Sequence, residues 1–537
     1  MEVWLAGQAL REGLRTKEQI EVFVARLRSG EAAFSDEINE GRSRSLGASL
    51  AYGFEQAFSE RERKKLALLH LFQGHVDVDV LRVMGESEAP WCLPEVRGLS
   101  LEEGIALLDR AAEVGLLTAF GGRYYGIHPT LPWFFKSLFE RCYTAEDLAA
   151  VRAFIGAMGE LGNYYAAQYA EGNRGVLAEL QAEEANLLHA LRLAQACGLE
   201  NGGIKTMQGL QPLYELTGQR AEWKRLVEEI VPNFVDPKSD GPVPGREEAW
   251  SFVTEYRIRL AEEERQLAEA ERLQIVLVDW HRRRAASALA RPARELKSVE
   301  QNAIRSLSVS LHELGQIRRE LGRAECVPAY EESLELCEQI GDRTGAAVTA
   351  GNLGSAFRDL PAIRDLDRAE DRFRKSLELY DEHDRVGRGR CITQLGSLAY
   401  ERFRDALTAR RPAKELLQYL NNAATRYEEA LDLLPPAAIN DLAVTHHALG
   451  AIYGLAGGLE HAMPHYRAAV QCLEQAGDFF RAALTRQNIA IALFNAGRQT
   501  DALEYAEAAL RGFEPYGAGA AEEIELTRQL IAQIRGA

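Results

Sequence analysis

At 537 residues the chain is too long for one compact core and suits two or three domains or a solenoid. Its 46% apolar and 27% charged residues describe an ordinary soluble chain rather than a disordered one. A net charge of −17 argues against generic binding to nucleic acid or an anionic membrane, since both demand a basic surface.

The N-terminus, Met1-Glu2-Val3-Trp4, lacks a basic region followed by a long apolar core, so no signal peptide is expected. Residues 3–29 read as two short helices, with Leu5, Ala9 and Leu14 on one and Ile20, Phe23, Val24 and Leu27 on the next. A further helix carries Leu50, Phe54 and Phe58. Ser59 then stands as an N-cap, with Glu62 at capping-box spacing. The apolar stretch Leu66–Phe72 leads to a short helix starting near Asp77, and a longer helix spans about Leu101–Gly115. Two strand-like pieces, Leu116–Thr118 and Tyr124–Ile127, flank Gly121-Gly122 and predict a hairpin. Helices followed by a small hairpin describe a winged-helix fold.

The run Arg42–Leu50, the stretch Leu66–Leu69 with Phe72, and Tyr125-Gly126-Ile127-His128-Pro129 together resemble part of a STAND-type (NB-ARC/AP-ATPase-like) signalling NTPase. The resemblance implies that residues 1–58 form the small helical domain and 59–143 the winged helix. It also implies that His128 is the residue that touches the phosphates of a bound nucleotide in the resting state. The family's P-loop is missing: no G-x-x-x-x-G-K-[ST] occurs, and Gly202-Gly203-Ile204-Lys205-Thr206 lacks the glycine spacing. No cofactor is therefore expected in this chain, and ATP or ADP would reach His128 only if a nucleotide-binding domain were joined to it. The chain reads either as the C-terminal part of a larger ATPase or as a degenerate or split member. The presumptive recognition helix carries Glu102, Glu103, Asp109 and Glu113 against Arg110 alone, which would repel DNA phosphates.

Residues 144–235 read as degenerate repeat-like helices, with Glu183, Asn186-Leu187, Ala190-Leu191 and Ala194 on one and Leu210, Leu213 and Leu216 on another. Four prolines and two glycines between Pro232 and Gly245 mark a loop, placed at 236–246. A long helical pair follows over 247–300, whose Trp250, Tyr256 and Leu273 fit solenoid packing.

From 301 to 537 the pattern becomes periodic. Leu314-Gly315, Leu353-Gly354, Leu395-Gly396, Leu449-Gly450 and Ile489-Ala490 recur at separations of 39, 42, 54 and 40 residues. Around the fourth pair, Tyr453, Gly457, Ala462, Tyr466, Ala469 and Val470 complete two antiparallel helices with alternating large and small residues. This order resembles the tetratricopeptide (TPR) consensus, whose unit is about 34 residues long, so the longer periods require longer helices or turns. The widest gap places an inserted helical extension at Ala406–Asn421. Such units stack into a solenoid because none buries its apolar face alone.

No nucleophile motif, H-E-x-x-H or Cys-x-x-Cys occurs, so neither an enzyme nor a metal site is expected. His446-His447 and the i,i+4 pair His461/His465 read as a solvated face. The seven scattered cysteines read as reduced thiols in the cytosol, and no apolar run is long enough to span a bilayer. In TPR proteins the residue before each Leu-Gly pair points into the concave groove. The resemblance thereby assigns Glu313, Asn352, Gln394, Ala448 and Asn488 to that groove, with the amides placed to hold an extended peptide or instead to hydrate the groove or bond across repeats. The expected fold is all-α apart from a small β-wing, ending in a TPR superhelix. The expected function is ligand sensing and protein–protein interaction by the repeats, relayed through the winged helix to a nucleotide switch outside this chain. A constitutive TPR adaptor and a degenerate regulatory NTPase subunit are the alternatives, and oligomeric state stays open.

Overall fold

The computed structural model describes Phe54 and residues 57–536, apart from the short segments 129–130, 145–147, 171–172 and 174. The helices expected between residues 3 and 53 lie outside the described residues. Within them the protein is all-α, with 21 α-helices and one three-stranded sheet. The chain divides into two units, one ending at Arg257 and the other beginning at Ile258.

In the first unit, α1 (Glu60–Ala67) starts at the expected capping box, where the Ser59 backbone N–H donates to Glu62 Oε2 at 2.8 Å. Burial alone would raise the Glu62 pKa. The bonds from Ser59 and Arg110 outweigh it and hold the carboxyl down at about 2. After a 3₁₀ turn come β1 (His75–Asp77), α2 (Val78–Met84), α3 (Leu101–Glu113), β2 (Leu117–Gly121) and β3 (Tyr124–Ile127). The sheet is antiparallel in the order β1-β3-β2, pairing Val76 with Tyr125 and Thr118 with Gly126. Gly121 and Gly122 turn the expected hairpin with φ of 98° and 62°, a region that L side chains rarely adopt. The sequence pattern contains no signal for β1, because three residues are too few for alternation and one of them is the buried Asp77. On α3, Arg110 is spent inside the unit: its guanidinium donates to Glu62 at 2.6 Å and to the Ala57 carbonyl.

Four further helices follow α4 (Pro132–Cys142): α5 (Ala149–Ala170), α6 (Val176–Ala196), α7 (Glu200–Thr217) and α8 (Arg220–Phe234). The tightest packing among them joins α5 to α7, two helices that are not neighbours in sequence. Glycines permit it: a Cβ on Gly209 would lie 2.8 Å from Gly162 Cα. The proline-rich loop ahead of α9 (Glu247–Glu263) is held in place, since Trp250 Nε1 donates to the Asp240 carbonyl at 2.9 Å and Arg257 pairs with Asp240.

This unit also buries charge. Asp77 is 0% exposed and Glu183, on α6, is 1% exposed. Arg123 reaches Asp77 at 3.3 Å and Asp79 at 2.6 Å. His75 Nε2 stands 3.3 Å from Glu183, and Asn186 ties the group together by donating to the His75 carbonyl and to Glu183 and by accepting from the Gln73 N–H.

The second unit is a run of helices that pack on their sequence neighbours: α10 (Leu267–Leu289), α11 (Ser298–Glu320), α12 (Cys326–Ile340), α13 (Arg343–Asp359), α14 (Leu366–Leu379), α15 (Arg385–Thr408), α16 (Ala413–Leu433), α17 (Ile439–Leu455), α18 (Leu459–Gln475), α19 (Phe479–Asn495), α20 (Gln499–Phe513) and α21 (Ala521–Gly536). The five Leu-Gly-type anchors fall on α11, α13, α15, α17 and α19. Each anchor glycine faces an aromatic ring on the following helix. A Cβ at Gly315 would lie 2.7 Å from Tyr330, at Gly354 2.9 Å from Phe373, at Gly396 3.0 Å from Tyr427 and at Gly450 2.8 Å from Tyr466. The fifth anchor carries Ala490, and there the next helix offers the small Ala502 and Ala506, all fully buried.

The Gly-Asp pairs make the junctions between pairs. Gly341 closes α12 with φ of 73°, and Asp342 caps α13 by accepting from the Gly345 N–H. Asp478 does the same for α19. The 54-residue spacing is taken up by α15 and α16, which are 24 and 21 residues long and meet in a turn at Arg410, whose φ is 51°. On α10 the run Arg282-Arg283-Arg284 is engaged locally: Arg282 donates to Glu332 at 2.8 Å and Arg284 lies over the Trp280 ring. All seven cysteines are free, with Cys326, Cys337 and Cys391 buried. No helix among the described residues is long and apolar enough to cross a membrane.

Candidate partner-binding groove

The first helices of successive repeats, α11, α13, α15, α17 and α19, carry the residues assigned to the groove. One register below those residues runs a polar ladder. At three of the five anchors the residue four before is a threonine, Thr349, Thr445 and Thr485 on α13, α17 and α19, while Ser310 and Cys391 stand there on α11 and α15; Thr527 takes the matching place on α21, and all four threonines are buried. Each meets the residue two before the preceding anchor. His312 Nδ1 lies 3.0 Å from Thr349 Oγ1, Thr393 Oγ1 3.0 Å from Thr445 Oγ1, His447 Nδ1 3.0 Å from Thr485 Oγ1, and Gln487 Nε2 2.9 Å from Thr527 Oγ1.

The ladder has a direction. Thr445, Thr485 and Thr527 spend their own hydroxyl hydrogens on the carbonyls of Asp441, Arg481 and Glu523, one turn back. Their oxygens must therefore accept from the neighbouring repeat. His447 consequently carries its proton on Nδ1, and its Nε2 accepts from Asn488 Nδ2 at 3.3 Å. Asn352 and His312 repeat the arrangement at 3.0 Å. Burial pushes both imidazoles down, His312 to about 4 with some help from Arg319, so they are neutral bridges at physiological pH.

The groove residues divide accordingly. Glu313 accepts from Gln274 Nε2 at 3.3 Å on α10, and burial raises its pKa. Asn352 is bonded across to the preceding repeat. Gln394 and Asn488, by contrast, line one cavity of about 500 Å³. Ala448 sits between them, and its short side chain leaves the hollow open. Val444 is 48% exposed beside it. Arg358 and Arg481 also line the cavity, and among the described residues no carboxylate does. The Arg358 guanidinium donates to Gln394 Oε1, while Tyr427 forms part of the wall with its hydroxyl pKa pushed up to about 12 by burial.

Sequence reasoning missed the ladder threonines, His312, His447 and the two arginines. The signal was present as an offset: Thr recurs four residues ahead of an anchor, which a search for Leu-Gly pairs alone does not test. It also misread one face. His461 is exposed as expected, whereas His446 and His465 are half-buried and packed together, Nδ1 to Nδ1 at 3.0 Å, with His465 stacked on Tyr453. Among the described residues no group of three His, Cys, Asp or Glu is placed to hold a metal. His128 lies at the end of β3, where its carbonyl accepts from the Leu131 N–H at 2.9 Å.

The tetratricopeptide repeat model matches residues 306–382. The helix pairs of the second unit are TPR-like repeats. No curated protein matches the chain. Among solved structures, a STAND protein with a tetratricopeptide repeat sensor from Pyrococcus horikoshii is 14% identical, covering 98% of this chain and 74% of its own, with a TM-score of 0.40. BtubC from P. vanneervenii is 21% identical over 49% of this chain and 92% of its own, at 0.34. A Rap protein complexed with competence and sporulation factor is 10% identical over 70% and 98%, at 0.36. What the groove can do is read from its own side chains.

Proposed function

We propose that the chain is a non-catalytic sensing and interaction protein whose repeat groove binds a protein or peptide partner in extended form. The observation that carries this reading is the hollow over Ala448, flanked by two amides with opposite capacity left over. Gln394 Oε1 accepts from Arg358 and Asn488 Nδ2 donates to His447. Among the described residues these are the bonds the two amides make, so Gln394 retains its N–H donors and Asn488 its carbonyl. An extended backbone offers a carbonyl and an N–H to such a pair, while one of its side chains enters the hollow against Val444 and Ala448. Asn352 and Glu313 would extend the track on neighbouring repeats.

A relay role belongs to the same proposal. The order helix, strand, helix, helix, hairpin in the first unit supports a winged helix, with His128 at the end of its last strand. A nucleotide-switch module outside this chain would bring ATP or ADP to His128, and free cysteines fit a cytosolic setting.

The test is selection of displayed peptides on the full chain, with counter-selection on Ala448→Trp, which fills the hollow. Peptides retained by the wild type and lost by Ala448→Trp are expected. Peptides held equally by both proteins, while the variant melts normally, would place binding elsewhere.

A further inference from the structure

At its α11 end the groove changes chemistry. Glu313 stands where the later helices carry Asn352, Gln394, Ala448 and Asn488. Glu320 follows two helical turns further on and so shares its face of α11. Glu262 on α9 sits against both: burial raises its pKa, and the charges of Glu320 and Glu313 raise it further. All three glutamates belong to the second unit, which begins at Ile258. Arg259 on α9 pulls Glu262 and Glu313 down, yet burial keeps the pKa of both raised. Arg318 and Arg323 pair instead with Glu271 on α10. Among the described residues none of the three glutamates is in an ion pair.

A buried amide points to the same deficit. Gln274 on α10 is 0% exposed. Its Nε2 donates to the Ser310 carbonyl at 2.7 Å and to Glu313 Oε2 at 3.3 Å, which aims the amide at the glutamates and fixes the end that carries the hydrogens. Its Oε1 has no hydrogen-bond partner among the described residues. A buried acceptor without a donor is costly. The carboxylates lack a cation and the amide lacks a donor, and an ammonium or guanidinium is both at once.

We propose that the α11 end of the groove binds a cationic side chain, lysine or arginine, of the extended partner segment, among Glu262, Glu313 and Glu320. This rests on the groove binding such a segment, and it adds the partner's charge and register. The hollow over Ala448 on α17 lies three groove helices away. Side-chain bonds hold each step in contact: His312 to Thr349, Arg358 to Gln394 and Thr393 to Thr445. Packed helices stand about 8–10 Å apart and an extended chain advances about 3.3 Å per residue, so the basic residue falls about seven to nine residues from the side chain in the hollow. Register is the decisive feature, because a net charge of −17 attracts basic segments without one.

The experiment selects displayed random peptides of about fifteen residues on the full chain and sequences those that Ala448→Trp loses. They should carry lysine or arginine about seven to nine residues from an apolar position. For one such peptide, Glu262→Gln and Glu313→Gln, the latter keeping an acceptor for Gln274, should each weaken binding by about tenfold. Replacing the peptide's basic residue by glutamine should weaken it similarly, and should add little on top of Glu313→Gln. Arg259→Gln should strengthen binding by removing a competing cation. Glu335→Gln on α12, exposed and outside the groove helices, should change it by less than about twofold. Thermal melts separate a lost contact from a lost fold, and the peptide-side substitution decides the matter even where a variant melts early. Basic residues absent or scattered without register, or affinity unchanged by Glu262→Gln, Glu313→Gln and the peptide substitution, would overturn the proposal and leave the groove reading standing. Finding no peptide that Ala448→Trp loses would overturn both.

Discussion

In the first unit His75, Asp77, Arg123 and Glu183 bury ionisable groups beside a small sheet, whereas the repeats of the second bury Thr349, Thr445, Thr485 and Thr527 at one register. The first arrangement occurs once and joins segments far apart in sequence. Its carboxylates lose hydration, and a single guanidinium offsets only part of that loss: burial, and next the nearby Glu183, push Asp77 up to about 6 against the pull of the Asp79 N–H and Arg123. The second arrangement uses neutral hydroxyls, amides and imidazoles whose donors and acceptors match, so it can be repeated from one helix to the next without accumulating charge. Charge fixes one contact uniquely, while the neutral ladder fixes a register many times over.

Breaking the charged cluster should have the largest effect. Arg123→Ala leaves the buried Asp77 without its cation. Loss of one partner of a buried pair costs about 3–5 kcal/mol, and the one-third exposure of Arg123 lowers the expectation to about 2–3 kcal/mol. The loss should shrink with acidity. Asp77 has a raised folded pKa, so the folded state holds its proton more tightly than the unfolded chain between about pH 4 and 6. Its contribution therefore grows as pH falls through 6 and is lost as pH rises above it. Urea titrations at pH 5 and pH 8 measure both effects, and an equal loss at the two pH values would contradict this account.

A smaller effect is expected from overpacking a repeat. Gly450→Leu drives a side chain into Tyr466 and should cost about 1–3 kcal/mol, with the damage passed to adjacent helices. Pairing Gly450→Ala with Tyr466→Ala copies the Ala490–Ala506 contact and should recover part of the loss that Gly450→Ala causes alone. Thermal melts of the three variants decide it. No recovery in the double variant would show that the ring, rather than the close approach, is what the contact requires.

These contacts also explain what was legible in the sequence. Leu314-Gly315 and its successors could be read because a glycine facing an aromatic must recur at the repeat spacing, and both residue types are uncommon enough to stand out. The extension around Ala406–Asn421 was legible as excess length alone. Thr485 or His447 taken singly carries no such signal, and the ladder emerges only when repeats are aligned on their anchors. Gln394 and Asn488, which line one cavity, could be placed at matching positions from their offset to the anchors. The hollow could not be read, because Ala448 acts through the side chain it lacks and Arg358 arrives from an earlier helix. In the first unit the hairpin could be read from Gly121-Gly122. Strand β1 and the pairing of Asp77 with Arg123 could not, since they depend on packing between separated segments. The α5–α7 contact through Gly162 and Gly209 is similarly nonlocal.

The ladder's own pH response should run opposite to that of Asp77. His312 has a folded pKa of about 4, depressed by burial, against about 6.5 in the unfolded chain. The unfolded state then binds more protons between those values, so the stability this residue contributes is present above pH 6.5 and is lost as pH falls toward 4. Hydrogen exchange across α11–α13 should quicken over that window. In His312→Gln, which keeps an amide donor and an acceptor but cannot titrate, the acceleration should be reduced. An identical pH profile in the variant would exclude His312 as its source.

The smallest expected effect is the most informative about the groove. Asn488 makes one bond within the array, to a neutral imidazole, and a neutral bond contributes about 0.5–1.5 kcal/mol net. Asn488→Ala should therefore melt only slightly early, with exchange quickened locally where α17 meets α19. Asn488→Asp separates the two uses of the side chain. It retains an acceptor for a partner N–H but loses the donor to His447 Nε2, and it places a carboxylate against an acceptor. If the amide serves only the ladder, both variants should soften the repeat and leave peptide affinity unchanged once allowance is made for folding. If the carbonyl also holds a partner, Asn488→Ala should weaken a selected peptide by roughly two- to tenfold, and Asn488→Asp should weaken it less despite being the less stable protein. That reversal of order between stability and affinity is the measurement to seek, because a purely structural residue would rank the two variants the same way in both.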